Sequence, residues 1–170
     1  MTDPEFSLRA FKPSDLPALL AMVRALCDQH EAWDPARFNF VPDIEARYAR
    51  WLPLRAADPD SVLLIAAQAE PLGFLVGEIL DDIPIFNTAR YGFIHDVFVR
   101  PDARKQGIAA ALVQAAVAQF NARGIRQVRL DTACQNESAR KVFASVGFRS
   151  SIVQMLHETP RPASQSEPSV

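Results

Sequence analysis

The sequence predicts a single α/β domain, a mixed and mostly antiparallel sheet covered by helices. Three observations carry this. The chain is 170 residues long and 49% hydrophobic, enough for one well-filled core and short for two. Its first half holds apolar runs linked by short turns, the pattern of hairpin strands. Its second half alternates strand-like runs with Ala- and Leu-rich helical patterns, the signature of strand–helix–strand units.

Phe6-Ser7-Leu8-Arg9-Ala10-Phe11 alternates apolar and polar residues, as a half-buried strand does. Lys12-Pro13-Ser14-Asp15 stops it, and Ser14 is the expected N-cap of a helix from 15 to about 29. Leu16, Leu19, Leu20, Val23 and Cys27 form that helix's apolar face. Residues 33–42 are irregular and aromatic. Asp43 is expected to cap a short helix carrying Ile44, Tyr48, Trp51 and Leu52, which Pro53 ends. Ser61–Gln68 and Leu72–Leu80 read as a hairpin, with Gly73 and Gly77 marking a bulge or a close backbone approach. A loop with its own apolar residues, Ile83, Ile85 and Phe86, leads to the strand Tyr91–Val99.

The stretch from Val97 to Ala109 is the most informative. A β-branched and aromatic run meets Pro101, a basic turn with one glycine follows, and a helix begins. A helix start presents unpaired N–H groups and partial positive charge, which suits a pyrophosphate. Ile108, Leu112, Ala115, Ala116 and Phe120 line the helix, and Gly124 closes it. Ile125–Thr132 is a further strand. Asn136 caps a helix with Ala139, Val142, Phe143 and Val146 at helical spacing, ended by Gly147. Phe148–His157 is expected to be a last strand. The domain is thus 1–158, and the Pro- and Ser-rich stretch 159–170 reads as a disordered tail.

Charge and composition exclude several classes. Net charge is −2, without the basic excess of a nucleic-acid binder. No apolar run is long enough to span a bilayer, so no membrane partner is expected. The start of the chain lacks a signal-peptide core, and Cys27 and Cys134 are two thiols rather than a disulfide framework. The expectation is a cytoplasmic protein. A dinucleotide-binding reading fails for want of Gly-x-Gly-x-x-Gly after an early strand.

Two linked motifs carry a family resemblance. Val97-Phe98-Val99 followed by Arg104-x-x-Gly107-x-Ala109 resembles the acyl-CoA loop of the GCN5-related N-acetyltransferase superfamily. Asn136-x-x-Ala139-x-x-x-Phe143-x-x-x-Gly147-Phe148 resembles that family's late helix, with phenylalanine where the family usually has tyrosine. The resemblance spans roughly residues 6–157 and is tightest from 91 to 148. It implies a sheet splayed between its fourth and fifth strands. It also implies acetyl-CoA as co-substrate, with no metal, and a primary amine, on a small molecule or a peptide, as acceptor in a direct ternary-complex transfer.

On that resemblance, Val97, Phe98 and Val99 would pair with the pantetheine arm. The amides of Arg104, Lys105, Gln106, Gly107, Ile108, Ala109 and Ala110 would cradle the pyrophosphate. Asn136 would either bond the pantetheine or serve only as an N-cap. His95 is the candidate general base, expected to share a strand face with Val97 and Val99, with Asp96 on the other face unless a bulge intervenes. Phe143 cannot donate a proton, so the usual general acid is missing. Tyr91 and Cys134 are near in the chain, though Tyr91 reads as packing and Cys134 as a buried apolar residue. The missing acid also keeps open a weak or inactive acyl-CoA-binding sensor. Acceptor specificity is expected from residues 30–55 and 81–92, where Trp33, Phe38, Phe40, Phe86, Tyr91 and Phe93 accompany Glu31, Asp34, Asp81 and Asp82. Pairing of sheet edges would give a homodimer, which these residues leave open.

Overall fold

The computed structural model describes residues 6–159. In chain order the elements are β1 (Ser7–Ala10), α1 (Leu16–Trp33), α2 (Ile44–Ala57), β2 (Ser61–Ala67), β3 (Pro71–Asp81), β4 (Arg90–Val99), α3 (Ile108–Ala122), β5 (Val128–Leu130) and α4 (Glu137–Ser145). Single-turn helices at Pro13–Asp15 and Pro101–Ala103 lead towards α1 and α3. The sheet order follows the chain, β1-β2-β3-β4-β5. All neighbours are antiparallel except β4 and β5, which run parallel. The mixed sheet expected from the sequence is therefore present.

Two cores sit on its two faces. On one, Leu64, Leu75, Ile79 and Ile94 pack against Ile108, Leu112, Val113, Ala116 and Phe120 of α3. On the other, Ile65, Phe74, Val76 and Phe98 pack against Leu19, Met22 and Val23 of α1 and Leu52 of α2. β2 is buried along its whole length and β3 from Pro71 to Gly77. Both faces of these strands are covered, which is why they read as continuous apolar runs and not as an alternation.

Several local expectations are corrected. Ser14 does not cap α1. Asp15 sits at that position, and its carboxylate accepts from the Lys12 amide at 2.8 Å and pairs with Arg9 at 2.7 Å. Pro53 does not end α2, which runs on to Ala57. The proline removes one helical hydrogen bond, but Leu52 stays packed in the core and holds the helix together. No strand forms over 148–157. Its β-type pattern finds no ladder: β5, at the sheet edge, is three residues long and pairs only with β4. Ile152, Val153, Met155 and Leu156 are exposed there. The expected tail lies almost wholly outside the described residues.

The feature that positions the site is an irregularity in β4. Val76 pairs with Asp96 and Gly77 with Ile94, so His95 is an extra residue, a bulge. Gly77 permits the close approach there: a Cβ at this position would lie 2.6 Å from the Phe93 carbonyl oxygen. One glycine signal of the sequence is thus explained by both readings at once.

Candidate active site

β4 and β5 pair only over Gly92–Ile94 and Val128–Leu130. Beyond Ile94 the strands part, and Val97–Val99 stay bonded to β3 on one side with no strand among the described residues on the other. This is the expected splay. The half-open edge leads through Pro101–Ala103 to a turn with two left-handed residues, Lys105 (φ 65°) and Gly107 (φ 78°). Gly107 occupies the N-cap of α3, and the helix's first bond runs from the Ala111 amide to its carbonyl. The amides of Ile108, Ala109 and Ala110 are therefore free of helical partners. Glycine is favoured at this φ, and a Cβ here would meet nothing within 4 Å. The space above the helix start is open to a ligand.

The cationic side chains divide. Arg104 folds back on the end of β4, its Nε donating to the Val99 carbonyl at 3.2 Å and its guanidinium 5.7 Å from the centre of the Phe98 ring. Lys105 and Gln106 are exposed on the turn. Asn136 caps α4: its Oδ1 accepts from the Ala139 amide at 3.1 Å and from the Ser138 hydroxyl at 3.1 Å. Phe143 is half-buried and packs with Phe148, ring centres 6.1 Å apart. Cys134, expected to be buried, is exposed; Ala133 beside it takes the buried position.

The bulge redirects the residues before the splay. Val97 and Val99 face the α3 core, Phe98 the α1/α2 core. His95 does not share their α3-side face as simple alternation predicts. It turns towards α2, its ring centre 5.5 Å from Trp51 and 5.0 Å from Phe93, in edge-to-face contact with both. Asp96 also points towards α2 and accepts from the Tyr48 hydroxyl at 2.9 Å. Burial pushes the Asp96 carboxyl up, while the Tyr48 hydrogen bond opposes the shift. Burial, with Asp96 nearby, raises the Tyr48 hydroxyl.

His95 Nε2 lies 2.7 Å from Glu78 Oε1. The other oxygen of Glu78 pairs with Arg55 of α2, and Arg55 also reaches Asp58 at 3.4 Å. Sequence reasoning missed Glu78, Arg55 and the placement of Trp51. A signal existed for Glu78: it is the single acid in the apolar run from Leu72 to Leu80.

The acids expected to receive a cationic acceptor are engaged elsewhere. Asp82 pairs with Arg129 at 2.5 Å and Asp81 with Arg90 at 3.4 Å. Glu31 accepts from the Phe40 amide at 3.3 Å, and Asp34 from that of Arg37 at 3.1 Å. Arg129 covers the Tyr91 ring at 3.8 Å, and Phe38 packs with His30 and Phe40. These residues are mostly structural. Among the described residues no cluster of His, Cys, Asp and Glu suited to a metal ion is present.

A splayed parallel pair, an open helix start and a polar group at the apex are the features expected of an acyl-CoA transferase fold. The model of the acetyltransferase (GNAT) family matches residues 23–148, and the chain belongs to that family of acyl-transferring enzymes. An N-acetyltransferase of Archaeoglobus fulgidus is 28% identical over 75% of this chain and 84% of its own length. An aminoglycoside N(6')-acetyltransferase of Klebsiella aerogenes is 30% identical over 69% of this chain and 81% of its own. The match to an N-acetyltransferase of Methanocaldococcus jannaschii, at 31% identity, spans only 43% of that protein. Among solved structures, an acetyltransferase from Clostridium acetobutylicum crystallised with acetyl-CoA superposes with a TM-score of 0.70 at 21% identity, over 90% of this chain and 96% of the other. That likeness establishes the fold.

Proposed function

We propose that this protein transfers the acetyl group of acetyl-CoA directly to a primary amine bound beside His95. One observation carries the reading. The unpaired edge of Val97–Val99 is continuous with the open helix start at Gly107, and His95 stands at the point where the strands part. The edge offers backbone groups to the amides of a pantetheine arm. The turn from Arg104 to Ala110 offers amides and the positive end of α3 to a pyrophosphate.

The residues present fit this co-substrate. A side chain at Gly107 would project into the open space above the helix, and Val97–Val99 have a free side for pairing. Acetyl-CoA supplies an activated acyl carbon, and its C–S bond gives way to a C–N bond with release of the thiol. The chain's own tasks are fewer. An amine arrives protonated at neutral pH, so a base must take one proton before attack. His95, partly exposed beside Glu78, takes it. A backbone N–H of Val97–Val99 holds the developing oxyanion. The second amine proton goes to solvent and the departing sulfur is protonated by water, since Phe143 has none to give. Overall, amine and thioester become amide and thiol.

The acceptor is a primary amine on a body that packs against Trp51 and Phe93, the rings nearest His95. The name of the Klebsiella aerogenes relative supports an amine acceptor. A panel of amino sugars, polyamines and peptide N-termini, scored by thiol release, tests the reading. Turnover with at least one class supports it. Phe143 favours a second reading, an acyl-CoA-binding sensor, which saturable acetyl-CoA binding with no transfer to the whole panel would establish instead.

A further inference from the structure

The motifs that mark the family include no partner for His95, yet the structure supplies one. Glu78 stands on β3 in the same alternation as Phe74 and Val76, so it faces α2, as His95 does. Its two oxygens are divided. Oε1 meets His95 Nε2 at 2.7 Å, and Oε2 meets Arg55. Its side chain is only 19% exposed, so this pairing is screened less than a surface one. A carboxylate held by arginine only accepts hydrogen bonds, so Nε2 carries the proton. Trp51 and Phe93 meet the ring edge-to-face at 85° and 71°. Nδ1 has no hydrogen-bond partner among the described residues. The charged groups around the ring are Glu78 from β3, Arg55 from α2 and Asp96 beside it in β4, the last already held by Tyr48.

We propose that Glu78, itself anchored by Arg55, is a positioning residue that holds His95 with Nε2 protonated and Nδ1 free to accept the amine proton. The inference rests on the reading of His95 as base. Its physical content is the logic of an acid–histidine pair: the carboxylate fixes tautomer and ring orientation and favours the imidazolium that forms. The bulge makes the pairing possible. Without it, the extra residue would not turn towards Glu78.

Two measurements on the full chain test this. The first is the 15N ring resonances of His95 against pH, which need no acceptor. The proposal expects an Nε2–H neutral ring, and in Glu78→Gln a mixture of the two neutral tautomers. An Nδ1–H ring, or an unchanged Nε2–H ring in Glu78→Gln, overturns it. The second is a double-mutant cycle with the best amine of the panel. Glu78→Gln should lower kcat about tenfold with KM for acetyl-CoA unchanged. In a His95→Ala background the same change should cost nothing further. A full loss in that background would make Glu78 an independent group and overturn the proposal. Wild-type turnover in His95→Ala removes the base reading, whatever the resonances show. Wild-type-like resonances in Glu78→Gln beside an inactive His95→Ala remove the positioning role alone.

Discussion

His95 is itself the extra residue of a bulged strand, and its role is testable at the scale of one side chain. Replacing it with alanine should lower kcat by about 10²–10⁴, the usual span for a general base, while KM for acetyl-CoA stays near wild type. Thiol release under saturating acetyl-CoA measures this. A second residue-scale prediction concerns Asp15, which is 4% exposed. The Arg9 guanidinium holds its carboxyl below the ordinary 3.8, against the opposing effect of burial, with the Lys12 amide assisting. A carboxyl depressed in the folded state stabilises above its unfolded value and loses that contribution as pH falls through the folded one. Urea midpoints should therefore drop as pH falls below about 4, and Asp15→Asn should flatten that drop while lowering stability at neutral pH. Asp15 was legible only as part of a helix-start signal. Its burial depends on Arg9, which lies across a turn.

At the scale of elements, the second half of the chain was legible because its signals are local. The Gly107 turn, the α3 periodicity and the Asn136 cap each lie within a few residues of what they determine. The first half was less so. The bulge at His95 is a matter of register between β3 and β4, and register depends on pairing across the sheet. Alternation alone therefore puts His95 with Val97 and Val99, and misses Glu78, although it is the single acid of the apolar run Leu72–Leu80. The strand expected over 148–157 failed for a similar reason. Its pattern is local, but the ladder it needs is not. Pro53 yields a prediction here. It lies inside α2, where it removes one helical hydrogen bond. Pro53→Ala should stabilise the fold by about 2 kcal/mol, the helix gain less the entropy the proline withholds from the unfolded chain. A raised urea midpoint with an unchanged slope would show it; a lowered one would mean that the ring packs usefully.

Across the whole molecule, the two cores divide the work. The α3 core fixes the sheet face beneath the splay and sets the open helix start at Gly107. The α1/α2 core brings Tyr48, Trp51 and Arg55 over the bulge. The half of the site proposed for the co-substrate is thus built by the part of the chain that sequence reads well. The half proposed for the acceptor is built by long-range contacts, whereas the loops expected to set specificity hold acids, Asp81 and Asp82, that are paired with arginines. The central claim is that acetyl-CoA binds along Val97–Val99 and the start of α3. It is tested most directly by calorimetric titration of the wild-type chain and of Gly107→Val with acetyl-CoA. The account predicts saturable one-site binding for the wild type, abolished in a variant that still folds, because a β-branched residue resists a positive φ and fills the open space above the helix. No binding to the wild type, or undiminished binding to Gly107→Val, would contradict it.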